Sequence, residues 1–462
     1  MTGLIIFVAM LASIHVLMHR GIDQAFLCVW VPVFLSMPTA FKLIIPGLPV
    51  HTFMEAASIP VLLVLLKTRR SEMQFGPMES MLAVYIVIRV FCDFLSRGYP
   101  DARNYSIYLM YSVVGPYLLG RYLIRSRRMD IDTARMFVLM FLLFFPLFLY
   151  EARFWVSPVF KLLSGFFPDA SSGLSLRWGL ARTAGTFEHP ILACIMIVAV
   201  YRLHRWLCWT GVWDQPQTGW AGILQRQARH LPMAFKHQIS LVLILMALMT
   251  ISRGPWIGAL AGAILTATGN TRQRRKSLMF VITFFIVAGV AGQLLLTAYI
   301  TPRAGEVLSG EAQTMLYRKE MVDQYKAFLT DRMWTGWGLT TVPKIHGMES
   351  VDNAFFLMAL QHGLLAPAMF LLILFYAIVT QIRFGLHAPP GTPPIGFTFS
   401  GIYLACLIAF STVYMGAQTE PMIFLLLGWG ESIKNRAQEQ PASVSVHGQP
   451  AAPSLPFRRI LS

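Results

Sequence analysis

Apolar runs of about twenty residues recur along almost the whole chain, and that pattern limits the fold more than any other feature. A bilayer core about 30 Å thick needs roughly 20 apolar residues per helix. Such runs are predicted near 3–18, 25–44, 53–67, 78–97, 104–124, 132–150, 187–204, 238–252, 254–270, 277–298, 353–380, 396–413 and 418–432. No ordinary soluble domain fits between them. Hydrophobic residues make up 56% of the sequence and charged ones only 13%, so the apolar surface must go to lipid and helix–helix contact. The expected fold is all-α: a polytopic transmembrane helical bundle of about 12–13 helices with one large outer helical loop. Pro38 and Pro46 predict a bend or a re-entrant path within 25–44.

A net charge of +16 would suit a nucleic-acid-binding protein, but its placement argues against one. Lys and Arg cluster at the ends of apolar runs, as in Lys67-Thr-Arg-Arg70, Arg125-Ser-Arg-Arg128 and Arg272-Gln-Arg-Arg-Lys276. Retention of basic loops on the cytoplasmic side produces that distribution, with attraction to anionic membrane lipids as a by-product. If the spans alternate, the clusters at 67–70, 125–128, 202–236, 272–276 and 434–436 are all cytoplasmic. The segments 151–181 and 299–352 are then periplasmic. Thirteen spans put the N-terminus outside and twelve put it inside. One transmembrane domain is expected over 1–434, with the periplasmic loop 299–352 inside it and a disordered cytoplasmic tail over 435–462, rich in Pro, Ala, Ser and Gln. The start lacks a basic region and a small-residue cleavage site, so no cleavable signal peptide is expected. The cysteines lie in or beside apolar runs without metal-like spacing and read as small buried hydrophobes. Neither a P-loop nor Rossmann glycines are found, which argues against ATP-driven transport.

The informative residues are basic ones on the outer side. Arg177 and Arg182 end one outer segment, and Arg253 sits in the turn Ser252-Arg-Gly-Pro255. Arg303, Arg318, Lys319, Lys326, Arg332 and Lys344 lie in the long loop. An anionic ligand at the outer leaflet would account for them. The stretch Arg182-Thr-Ala-Gly-Thr-Phe-Glu-His-Pro190 runs straight into an apolar helix, whose free N–H groups could hold phosphate beside Arg182. The plainer reading is a loop-to-helix junction with an interfacial arginine. From Tyr317 to Arg332 the loop has helical character, with Met321, Tyr325, Phe328 and Leu329 on one face, fit to lie on the membrane surface and cover a cavity. Asp352 and Asn353 sit at the N-terminus of a long apolar helix, where the loop re-enters the membrane. Either could be a simple N-cap; a carboxylate there could instead take a proton from a sugar hydroxyl, with Asn353 positioning it. His346 and Glu349 are alternative bases. Arg89 and Asp93, at i, i+4 spacing within a span, read as a mutual ion pair.

Taken in order, four of these stretches resemble the O-antigen ligase and O-antigen/exopolysaccharide polymerase superfamily of membrane glycosyltransferases. They are Arg182-Thr-Ala-Gly-Thr-Phe-Glu-His-Pro190; Ser252-Arg-Gly254; Arg318 followed by Gly336-Trp-Gly338; and Asp352-Asn353 with Gly363 eleven residues beyond Asp352. The resemblance spans roughly residues 50–430. It implies a GT-C-like membrane fold in the bacterial inner membrane, a donor glycan on undecaprenyl pyrophosphate, and a glycan acceptor hydroxyl at the periplasmic face. No cofactor and no metal are implied, and other polysaccharide-assembly proteins are candidate partners. On that reading Arg177, Arg182, Arg253 and Arg318 hold the pyrophosphate, since Arg is bidentate and permanently charged. Asp352 is the expected base, with Asn353 and Arg318 beside it. Ligases of the superfamily usually carry His before the Asn, so Asp352 favours a polymerase over a ligase to lipid A core. A lipid-linked-glycan flippase and a nonenzymatic assembly subunit are the rival classes.

Overall fold

The computed structural model describes residues 2–44, 50–170, 175–300, 310–348, 350–416 and 418–439. Pro46, Arg303 and Glu349, together with 440–462 of the expected tail, lie outside the described residues.

The chain is all-α, and each expected span falls on helix. The helices are α1 (Phe7–Arg20), α2 (Ile22–Ser36), α3 (Phe53–Arg69), α4 (Pro77–Arg97), α5 (99–122), α6 (Arg127–Phe154) and the short α7 (Pro158–Leu163). They continue with α8 (Pro190–Trp209), α9 (Gly219–Ala228), α10 (Phe235–Met249), α11 (Arg253–Thr268), α12 (Arg274–Ile300) and α13 (Gly310–Asp331). The last are α14 (Ala354–His362), α15 (Leu365–His387), α16 (Ile395–Phe410) and α17 (Thr419–Glu439). Two antiparallel pairs are the only strands among the described residues: β1 (Lys42–Leu43) with β2 (His51–Thr52), and β3 (Ser175–Arg177) with β4 (Leu180–Arg182).

Among the described residues, five helices are long and apolar enough to cross a membrane by length and composition, and three shorter ones are apolar. Their outer surfaces carry the exposed apolar belt of a membrane protein: Phe280 is 74% exposed, Leu295 71% and Phe375 65%. In water that much contiguous apolar surface would drive aggregation. Inside, association rests on close packing, because lipid supplies no hydrophobic drive between helices. On α11, a Cβ at Gly258 would lie 2.5 Å from the Ala405 carbonyl oxygen, and one at Gly262 2.3 Å from that of Gly401. These small residues bring α11 and α16 into backbone contact and so fix the turn at the head of α11.

Basic clusters that are distant in sequence meet at one end of the bundle. Arg69 (2.8 Å) and Arg125 both pair with Glu72, Arg121 lies 3.2 Å from Glu79, and Arg436 lies 2.8 Å from Asp130. The opposite end, here the loop face, carries the Arg182 stretch, the Ser252 turn and α13.

Several expectations need correction. The segment 25–44 is not helical throughout: α2 ends at Ser36, before Pro38, and the chain turns into β1. The span 353–380 is broken at Gly363 (φ +72) into α14 and α15. α17 continues through Glu439, five residues into the stretch expected to be disordered, because Arg436 is held by Asp130. Arg89 and Asp93 do not pair: Arg89 lies 2.6 Å from Glu420 on α17, while Asp93 accepts a hydrogen bond from the Leu339 amide at 2.9 Å. Spacing along one helix could not reveal partners contributed by others.

Candidate functional site

Three arginines named from the sequence gather around the 250–253 turn. Arg182 is buried at the end of the β3–β4 hairpin. It donates from Nε to the Thr250 carbonyl (3.2 Å), from Nη1 to Ser175 Oγ (3.3 Å) and from Nη2 to Ser252 Oγ (3.1 Å). Arg177 Nη1 donates to the next carbonyl, Ile251 O, at 3.0 Å. Arg253 lies over the Trp178 ring, 5.1 Å from its centroid. The turn is bent for this purpose: Ile251 has φ +47, a left-handed conformation that strains a β-branched residue, and it exposes both carbonyls to the arginines.

Arg182 uses three of its five N–H groups, and no carboxylate lies within ion-pairing distance of it among the described residues. Its pKa is lowered to about 10, first by burial and then by the neighbouring Arg177 charge. A buried cation held by neutral oxygens with donors to spare is a setting an anion would relieve. Gly185 (φ +64) then turns the chain toward α8. A Cβ there would fall 2.2 Å from the Phe148 ring, and the Glu151 carboxylate accepts the amides of Ala184 (3.1 Å) and Gly185 (2.6 Å).

His189 caps α8, its Nδ1 accepting the Ile191 amide at 3.2 Å. Its pKa is pushed down to about 4 by burial and then by Arg182, with Asp352 pulling the other way. Tyr414, edge-on to His189 at 6.3 Å, has its pKa pushed up to about 12 by burial and by the Glu188 and Asp352 carboxylates. The Asp352 carboxylate therefore acts on both His189 and Tyr414, which belong to chain stretches far apart in sequence. Asn353 supplies the cap, accepting the Phe356 amide at 3.0 Å, so the Asp352 carboxylate is not the capping group. It accepts from Ser350 Oγ at 3.0 Å. The Ala354 amide bonds to Val413 O at 3.0 Å and ties this helix start to the Tyr414 segment.

The long loop folds back onto α14. Met321 and Tyr325 of α13 pack with Met348, Val351 and Leu360, and Phe328 and Leu329 join them. The face expected to lie on the membrane surface instead packs against the 345–351 segment and α14. The glycines of the Gly336-Trp-Gly338 and Gly363 motif have a steric reason: a Cβ at Gly336 would sit 2.4 Å from Gln361 O, and one at Gly363 2.2 Å from Trp334 O. Bonds from the amides of Trp337 to Leu360 O (2.8 Å) and Leu364 to Met333 O (2.8 Å) close the clasp. Arg318 lies on α13 just before Met321. Its buried Nε has no hydrogen-bond partner, and no bond links it to Arg182, Arg253 or Asp352 among the described residues. His346 is exposed in the 345–348 turn, away from these groups.

A cavity of about 700 Å³, within the usual range for small-molecule sites, is lined by residues from 39–55, α4, α5, Glu188 and the loop. Glu188, which accepts a hydrogen bond from Thr39, lines it, and Leu339 and Thr340 of the loop form part of its wall. Its tyrosines are braced from behind: Tyr108 donates to Glu420 (2.6 Å) and Tyr105 meets His362 Nε2 (2.9 Å). The sequence reading missed Glu188, His189 and Tyr414 as site residues. The first two stood inside a quoted motif, but nothing in their spacing announced a cavity.

Residues 238–371 match the family model described as O-antigen ligase. This stretch resembles an O-antigen ligase domain. No curated protein matches the chain. The matched domain runs from α10 into α15 and contains the Ser252 turn, Arg318, the loop glycines and Asp352-Asn353, while the Arg182 stretch precedes it.

Proposed function

We propose that the protein transfers oligosaccharide repeat units from undecaprenyl pyrophosphate to an acceptor sugar hydroxyl, as an O-antigen or exopolysaccharide polymerase of the bacterial inner membrane. On this reading the loop face is periplasmic, residues 299–352 are its outer loop and the chain beyond 434 is cytoplasmic. The observation that carries the proposal is the buried Arg182, held by neutral oxygens of the hairpin and the 250–253 turn beside Arg177.

The chemistry follows from the charges. The acceptor oxygen attacks the anomeric carbon of the donor; the bond from that carbon to the pyrophosphate oxygen breaks, and undecaprenyl pyrophosphate leaves. Negative charge grows on the leaving group, where Arg182, Arg177 and Arg253 stabilise it as preorganised cations. Arg318 joins them when α13 closes on the donor. The acceptor's proton passes to Asp352, whose carboxylate is not occupied in capping the helix.

The O-antigen ligase description of the matched domain favours a second reading, transfer to lipid A core or another acceptor. Reconstitution with an undecaprenyl-pyrophosphate oligosaccharide separates the two. Longer glycan on the polyprenyl carrier indicates a polymerase, and glycan on a different acceptor a ligase. Movement across the bilayer without new bonds would mean a flippase and would refute both.

A further inference from the structure

We propose that a basic pocket at the end of the bundle away from the loop face binds the phosphodiester headgroup of an anionic phospholipid, with its acyl chains laid along α12. The pocket, about 660 Å³ in volume, lies between two turns: 269–276, which carries α11 into α12, and 388–393, which joins α15 to α16. α11 starts at the Ser252 turn and ends at Thr268, so this end of it faces away from the Arg182 cluster. Arg272, Arg274, Arg275 and Lys276 line the pocket, and neither Asp nor Glu is among its described lining residues. Gathered cations repel one another, and a bound anion removes that cost. Asn270 and Gln273 add amide N–H donors suited to phosphate oxygens.

The fold builds this site and does not neutralise it. Arg274 ties the two turns together, donating from Nε to Gly269 O (3.0 Å), from Nη1 to Gly385 O (3.0 Å) and Ala388 O (2.7 Å), and from Nη2 to Pro389 O (3.4 Å). These partners are neutral carbonyls, so its charge stays uncompensated. Arg272, Arg275 and Lys276 are exposed and form no ion pair among the described residues. Other basic residues at this end of the bundle find carboxylates: Arg69 and Arg125 at Glu72, Arg121 at Glu79, Lys434 at Glu431 and Arg436 at Asp130. Nor can the tail supply the charge, since residues 440–462 hold Arg458 and Arg459 but neither Asp nor Glu. A lipid is favoured over a soluble anion by α12, which begins in the pocket. Its spanning stretch is only 6% buried, and Met279 and Phe280, just past Lys276, are 62% and 74% exposed. A phospholipid satisfies both the cations and the bare helix, whereas inorganic phosphate or a nucleic acid satisfies the cations alone.

The test uses the full chain purified in detergent, with native mass spectrometry counting retained lipids and thermal melts reading Tm. Dioleoylphosphatidylglycerol should be retained and raise Tm, with dioleoylphosphatidylcholine at least about tenfold weaker. Inorganic phosphate and glycerophosphoglycerol at the same concentrations should leave Tm unchanged, because they lack the chains that cover α12. Arg272→Gln, Arg275→Gln and Lys276→Gln together should weaken phosphatidylglycerol binding about 100-fold without lowering Tm in phosphatidylcholine. Lys276→Gln alone should weaken it about fivefold, which keeps the test decisive if the triple variant fails to fold. The control removes equal charge at the same end, through Lys67→Gln, Arg70→Gln and Arg128→Gln, and should stay within about threefold of wild type. Equal retention of phosphatidylcholine, a Tm rise with inorganic phosphate alone, or an equal loss in the control triple would each overturn the proposal. So would full lipid retention in both pocket variants, or a stable dimer in place of retained lipid.

Discussion

Replacing Arg182 by Lys keeps a cation at the centre of the arginine cluster but removes the planar fork. Arg182 joins the β3–β4 hairpin, through Ser175, to the turn at the head of α11, through Thr250 and Ser252, with three bonds of 3.1–3.3 Å. An ammonium on a flexible stem cannot satisfy both sides at once. Losing two of the three bonds at about 1 kcal/mol each predicts a local destabilisation of about 2 kcal/mol. The effect on transfer should be larger, because one preorganised donor lost from a developing oxyanion lowers rate by about 10²–10³. Turnover of an undecaprenyl-pyrophosphate oligosaccharide in proteoliposomes should therefore fall about 100-fold in Arg182→Lys and further in Arg182→Ala. Ser175→Ala serves as the control. It deletes only the hairpin bond and leaves the cation, so it should cost about 1 kcal/mol at most and change rate less than about tenfold. If the Lys and Ala variants both turned over within about threefold of wild type, the clamp reasoning would be wrong.

Asp352→Asn should lower transfer by about 10²–10⁴ with unchanged Tm, whereas Asn353→Ala should cost about 1 kcal/mol of stability through the lost cap; comparing turnover and thermal melts of the two checks the division of roles. Arg318→Ala should leave Tm unchanged, since its buried Nε has no partner in the fold, yet weaken donor binding in a lipid-pyrophosphate titration. His189 is uncharged in the fold down to about pH 4, below its ordinary 6.5, so the unfolded chain binds the extra proton first. The stability it contributes is complete above about pH 6.5 and lost as pH falls toward 4. His189→Asn, which can still cap α8, should flatten the Tm–pH curve across that window; an unchanged slope would rule out His189 as its source. Gly363→Ala, whose methyl would meet the Trp334 carbonyl at a left-handed φ, should loosen the loop clasp and expose 333–348 to protease earlier than wild type.

Hydropathy located the long apolar helices among the described residues, because period and length carry that signal, but not the breaks at Ser36 and Gly363. It also located the helical loop and its apolar face. The partners of that face were not legible: Met321 and Tyr325 cover α14 because the loop doubles back, and only the clasp of Gly336 and Gly363 enforces the return. The arginines were visible as cations on an unexpected side. Their convergence on two successive carbonyls depended on the strained Ile251, which no composition rule marks. Arg89 illustrates the opposite failure. A local i, i+4 partner looked sufficient, yet Glu420 on α17 takes the guanidinium and Asp93 is used to anchor Leu339. The cavity was the least legible feature, since Thr39, Ser112, Glu188 and Thr340 come from four separate stretches of chain and share only the space between them.

The central claim is that the arginine cluster beside Asp352 releases pyrophosphate from a lipid-linked glycan. Its most direct measurement uses purified wild-type protein in proteoliposomes with one defined undecaprenyl-pyrophosphate oligosaccharide, following carrier and glycan together by mass spectrometry. Free undecaprenyl pyrophosphate should appear in equal amount to new glycosidic bonds, with both lost in Arg182→Ala. Intact donor after full incubation with a suitable acceptor, or bond formation undiminished in Arg182→Ala, would contradict it.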